Sequence, residues 1–163
     1  YAENKERLRQ RGSKAHNTLV VDDHNSSEIW KSFRVARRAK VHSIQTHESE
    51  DKFILTASHN GYQRLNKISH TRTWILTKQA LLIEDKVIGS EIHKIELIYH
   101  VHPDIKLKQK NPQTIILCTK ADESIALLQV KSAARIDESN YHPGFNLSIA
   151  HKKIVIELKT NEM

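Results

Sequence analysis

With a single cysteine, Cys118, the chain can form neither an internal disulfide nor a metal site built on several thiolates. Cys118 sits in the apolar run TIILCT and is expected to be a packed strand residue rather than a nucleophile. No apolar run approaches the roughly 18 residues that a membrane helix needs, so no membrane partner is expected. Four glycines and three prolines are few for a turn-rich protein, so most turns must use Asn, Asp, Ser or Lys. Aromatic residues make up only 6%, and no RRM-type aromatic signature, KH loop or zinc-finger spacing occurs, which argues against a nucleic-acid partner. Acidic residues are also short, 19 against 26 Lys and Arg. The net charge of +7 therefore favours an anionic partner without choosing which one.

What is present is period-two alternation. Ile95, Leu97, Tyr99 and Val101 fall on one face of a strand, and Ile154, Ile156 and Leu158 do the same near the C-terminus. Further strands are expected at Asn17 to Asp22, Phe33 to Thr46, Lys52 to His59, Thr71 to Thr77, Ala80 to Val87, Thr114 to Lys120, Ile125 to Val130 and Phe145 to Ala150. The length suits one domain, and the pattern predicts an all-β fold, an antiparallel β-sandwich over residues 15 to 163. LLQVKSAARI, Leu127 to Ile136, carries good helix formers and is the one place where a short helix competes. Residues 1 to 14 read as a charged, flexible connecting arm. The opening YAENKERLRQRG has no initiator Met and no apolar leader, and suggests a piece of a longer protein.

Eleven histidines are unusual for this length. His100 and His102 alternate on a strand and, with Asp104, have the spacing of a partial metal site, although an exposed pair at a strand end explains them as well. In HNGYQRL, Asn60-Gly61 is a strong hairpin dipeptide and predicts a type I′ turn. His59, Tyr62 and Arg64 around it suit stacking on a sugar and pairing with carboxylate or sulfate, with ordinary packing as the alternative. His70 and Arg72 alternate to one strand face, either solvated or facing a cleft. Arg34, Arg37, Arg38 and Lys40 scatter over both faces of an extended segment. Together with Arg7, Arg9, Arg11 and Lys14 they can bind an anionic chain or simply be solvated. Trp30 and Phe33 read as core or domain-interface residues.

Taken in order, AHNTLVVD, SSEIWKSFRVARRA, HNGYQRL, SHTRTWIL, LLIEDKVIG and IYHVHPDI resemble the C-terminal β-domain of the heparinase II/III-like polysaccharide lyases; NYHPGFNLSI resembles it more loosely. The resemblance implies an acidic-polysaccharide substrate cleaved by β-elimination. It also implies an α/α-toroid domain upstream that carries most of the catalytic residues, so that this stretch alone is inactive. Asn17, His59, Tyr62, Arg64, His70 and Arg72 then become substrate-binding candidates. His16 becomes one ligand of a zinc site in the full-length protein, with the other ligands in an upstream His-Ala-Asp strand that these residues lack; this stretch needs no cofactor of its own. His16 bonded to loop backbone at a strand entrance is the plainer account. The resemblance places the protein in a bacterial periplasm or outside the cell, while the cysteine content is equally compatible with the cytoplasm. A non-catalytic module binding acidic polysaccharide is the alternative function.

Overall fold

A computed structural model describes residues 5–30, 33–65 and 67–162. Helix α1 (Lys5–Arg11) and a 3-10 turn (Ser13–Ala15) precede thirteen strands. These are β1 (Leu19–Val21), β2 (Glu28–Ile29), β3 (Val35–Ala36), β4 (Val41–Glu48), β5 (Lys52–His59), β6 (Ser69–Thr77) and β7 (Leu81–Ile88). They continue as β8 (Lys94–His100), β9 (Lys106–Asn111), β10 (Thr114–Cys118), β11 (Ser124–Gln129), β12 (Ala134–Tyr141) and β13 (Ile149–Lys159). The strands form two four-stranded sheets, β1-β8-β13-β12 and β4-β5-β6-β7, with a three-stranded sheet β11-β10-β9 and a small ribbon β2-β3. All of these pairings are antiparallel, and the fold is the expected β-sandwich.

Two apolar clusters hold the layers together. Leu19, Val21, Tyr62, Ile68 and Ile95 form one, and Ile115, Ala134, Ile154 and Ile156 the other, with Leu97 and Leu158 touching both. Cys118 is buried in β10 as expected. The centre of β13 is buried on both faces, since Val155 packs opposite Ile154 and Ile156 and lies in register with buried Ile98. Glu96, also buried, lies on that second face, where the Lys14 ammonium meets it at 2.5 Å.

Several expectations give way. LLQVKSAARI is not helical: Leu127 and Leu128 pair with β10, and Ala134 to Ile136 begin β12, so cross-strand partners override the local helix preference. Phe145 lies before β13 and is 94% exposed, outside any strand. The segment Phe33 to Thr46 is split between β3 and β4. From Lys5 onward the arm is ordered into helix and turn, and its first four residues lie outside the described part. A seven-residue helix is marginal alone. Here Arg9 and Gln10 both donate to Glu6, and buried Ser13 donates its N–H to Asn25 Oδ1 (2.7 Å) while its Oγ accepts from the Ser26 N–H (2.9 Å). Among the described residues no helix is long and apolar enough to cross a membrane.

Candidate functional site

The Asn60-Gly61 pair does not make a two-residue hairpin. No glycine adopts positive φ, and the β5–β6 connection runs from Asn60 through Ile68, folded by bonds such as Gln63 N–H to Asn60 O (3.0 Å) and Leu65 N–H to Tyr62 O (2.8 Å). Glycine is needed at 61 for space: a Cβ there would sit 2.8 Å from Ser26 O, 2.9 Å from Ala39 Cβ and 2.9 Å from His59 Nδ1. That close approach delivers Tyr62 to the interior and Arg64 to its edge. Tyr62 is fully buried, its hydroxyl donates to Leu19 O (2.8 Å), and burial pushes the phenol up to about 12. The Arg64 guanidinium bonds the carbonyls of Asn25, Ser26 and Gly61, clamping the turn to the loop before β2. Buried Tyr62 is not placed to stack on a sugar, and its substrate-binding expectation is corrected to a structural one. Arg64, partly exposed, spends its guanidinium on these carbonyls.

His59, His70 and Arg72 do share a face, as the alternation predicts, but the face is closed. His70 is 3% and Arg72 6% exposed, and both converge on Asp85 of the neighbouring strand. Register explains it, because His59 lies opposite His70 and Arg72 opposite Asp85. The bonds fix a tautomer chain. Asp85 Oδ1 lies 2.6 Å from His70 Nε2, so that nitrogen carries the proton. His70 Nδ1 then accepts from His59 Nε2 (3.0 Å), and His59 Nδ1 accepts the Gly61 N–H (3.0 Å). Arg72 completes the array with Nε to Asp85 Oδ1 (2.8 Å), Nη2 to Asp85 Oδ2 (2.9 Å) and Nη1 to Asn17 O (3.0 Å). These interior groups are corrected from substrate contacts to an array that supports Asn17. Burial opposes the Asp85 charge, but the bonds from His70 and Arg72 outweigh it and hold the carboxyl below its ordinary value.

His59 accepts a bond on one nitrogen and donates on the other, so protonation has no place in the array. Burial first, and then the electrostatic influence of His70, His42 and Arg72, lowers it from 6.5 to about 4. The unfolded chain therefore binds a proton that the folded chain refuses between about pH 6.5 and 4, and stability falls as the pH drops through that window. For a half-buried imidazole the expected loss is about 1–2 kcal/mol after solvent screening. Urea unfolding at pH 7 and pH 4.5 should show it in the wild type and show less of it in His59→Gln. An NMR titration placing His59 near 6.5 would contradict this account.

The accessible chemistry lies at the end of the array. Asn17 Oδ1 accepts from the His100 N–H (2.7 Å), fixing the His16–Asn17 corner between the two large sheets. His16 is exposed there, at the rim of a cleft of about 460 Å3 whose lining also includes Arg9, His100, Tyr141, His142 and His151. His100 and His151 stack with ring centroids 5.3 Å apart. His100 Nε2 donates to Lys14 O (3.0 Å) and His151 Nδ1 to Val101 O (2.9 Å), which leaves His100 Nδ1 and His151 Nε2 facing each other at 3.5 Å. Burial lowers His100, and the backbone bond only partly opposes it. Arg9 is held by Glu6, whose carboxyl the bonds from Arg9 and Gln10 bring down to about 2. The cleft is thus lined by imidazoles, the Tyr141 phenol and the Arg9 guanidinium, the last already paired with Glu6, with His16 exposed at its rim.

His102 does not join His100, since its Nδ1 accepts from the Asp104 N–H (3.2 Å) beyond the strand end. Among the described residues no group of three or more metal-ligating side chains gathers, and the two imidazoles nearest His16 stack on each other and each donate to a backbone carbonyl. The residues present do not by themselves fit a zinc ion. Sequence reading missed Asp85, His142, His151 and Tyr141. Only Asp85 left a usable signal: closing the β6–β7 hairpin near Lys78 puts Arg72 opposite it.

The site thus belongs to an antiparallel β-sandwich domain with an imidazole-lined cleft at a His-Asn-Thr strand entrance. The family described as "Heparinase II/III-like, C-terminal" matches residues 1–163, and the chain belongs to it. Among solved structures it is similar to a heparan sulfate lyase, HepC, from Pedobacter heparinus, at 17% identity and a TM-score of 0.74, covering 98% of this chain and 24% of that one. A heparinase III gene product with methylated lysines gives a TM-score of 0.70 at 17% identity, with the same coverage of each chain. The chain therefore spans about a quarter of the length of these structures. No curated protein matches it.

Proposed function

We propose that this chain forms one wall of a polysaccharide lyase that cleaves uronic-acid-containing chains by β-elimination, with the His16–Asn17 cleft turned toward the sugar. The observation that carries the reading is that cleft, imidazole-lined and with His16 exposed at its rim, on a domain of this family. In such a reaction the uronate carboxylate is neutralised by hydrogen-bond donors, a base removes the C5 proton, and the C4–O4 bond breaks as C4=C5 forms and O4 takes a proton. The Tyr141 hydroxyl suits hydrogen bonding to the sugar, and His16, exposed at the rim, suits proton transfer. The further catalytic groups are proposed to lie on an α-helical domain upstream in a longer, exported protein.

The test follows the absorbance of unsaturated product when the longer protein and this chain are each given heparan sulfate, alginate and other polyuronates. Turnover by the longer protein and none by this chain is expected, with His16→Ala lowering that turnover by about 100-fold. Turnover by this chain alone would overturn the division of labour. Binding without turnover by the longer protein would instead favour a non-catalytic polysaccharide-binding module, a reading supported by the scarcity of carboxylate bases around the cleft.

A further inference from the structure

The arginines of the helix α1 region fall into two sets. Arg9 and Arg37 are neutralised by Glu6 and Glu28, each at 2.5–2.6 Å. Arg7 and Arg34 instead lie over aromatic rings: Arg7 is 3.8 Å from the Phe33 centroid and Arg34 5.0 Å from that of Trp30. Among the described residues neither has a carboxylate partner. Both rings are exposed, Phe33 at 67% and Trp30 at 43%, which corrects the core half of the expectation for them and leaves the domain-interface half standing. The two pairs are neighbours, because Arg11, one turn along from Arg7, donates to Arg34 O (3.4 Å), and that carbonyl also accepts from the Trp30 N–H (3.2 Å).

A guanidinium stacked on a ring keeps its edge of N–H donors in water. It is held in plane, so less side-chain freedom is lost when that edge meets a carboxylate or sulfate. The exposed Trp30 ring adds apolar surface for the C–H face of a sugar. Position adds a second argument. The His16 cleft meets a second cleft of about 350 Å3 at Gln10 and His142, and Arg7 lines that second cleft beside Phe145 and Leu147. A path along helix α1 thus leads from the His16–Asn17 corner past Gln10 and His142 to the two stacked arginines.

We propose that Arg7/Phe33 and Arg34/Trp30 form an outlying subsite for an anionic sugar chain, gripping uronate or sulfate groups several residues away from those in the His16 cleft. The subsite rests on the polyuronate reading of that cleft. It binds long chains and is out of reach of short ones.

The 163-residue chain is titrated with alginate and heparin oligosaccharides of four and ten sugars. Arg7→Gln/Arg34→Gln is expected to weaken ten-sugar binding by about tenfold and leave four-sugar binding nearly unchanged. Arg38→Gln, an exposed arginine in the same segment, controls for net charge and should change either by less than about twofold. The Trp30 indole N–H resonance should shift with the ten-sugar ligand in the wild type, and not in the double variant. Both variants replace residues that reach solvent and should melt with the wild type. Equal losses in Arg38→Gln and the double variant, or a Trp30 resonance indifferent to sugar, overturn the subsite while leaving the cleft reading intact. The latter result would point instead to a protein segment as the occupant. No binding of either length to the wild type overturns both.

Discussion

Asp85→Ala is expected to lower stability by about 3–5 kcal/mol, because it strands a buried guanidinium and removes the acceptor that orients His70. Arg72 is 6% exposed, and two of its three side-chain bonds end on Asp85. The loss should not stay local. Without the carboxylate, Arg72 is no longer aimed at Asn17 O, and the Asn17 Oδ1 bond to the His100 N–H sits on the next link. Urea unfolding measures the stability, and the exchange rate of the His100 amide reports the corner separately. Replacing both partners, as in Arg72→Leu/Asp85→Leu, should recover much of the stability because no charge is then left buried, yet should leave the His100 amide unprotected. A cost below about 1 kcal/mol for Asp85→Ala would mean that Arg72 finds water, and the supporting role assigned to the array would fall with it.

Tyr62→Ala should cost about 3–5 kcal/mol as well, by a different route: it empties the centre of the first apolar cluster, where Tyr62 packs with Leu19, Val21, Ile68 and Ile95. Tyr62→Phe separates the two contributions. It keeps the ring and deletes only the donor to Leu19 O, so about 1–2 kcal/mol is expected. The difference between the variants measures the packing of the ring. If Phe and Ala cost the same, the hydroxyl bond and not the ring holds the turn, and the cavity argument fails. Either substitution also loosens the connection that carries Arg64 to the carbonyls of Asn25 and Ser26, next to the anchor of helix α1. Binding along α1 should therefore weaken in step with stability.

Much of the sheet framework was readable because side chains alternate across a strand whatever the rest of the chain does. β5, β6, β7, β8 and β10 lie within a residue or two of the expected segments. β9 and β12 were not readable. KLKQKN and ARIDESNY are charged and poor in β-branched residues, and they are strands because they pair along their length with β10 and β13. The candidate site divides in the same way. The alternation in SHTRTWIL placed His70 and Arg72 on one face, but could not say that the face is roofed. His142 and His151 reach the cleft from turns and strands far along the chain from His16.

The sequence alone determined a basic, single-cysteine antiparallel sandwich with a His-Asn-Thr strand entrance, since period, charge and motif are properties of neighbours along the chain. Tertiary structure alone decided which histidines and arginines meet solvent. Exposure depends on what packs above a face, so Tyr62, His70 and Arg72 went inside, while His16, Arg7 and Arg34 were left where a ligand can reach them.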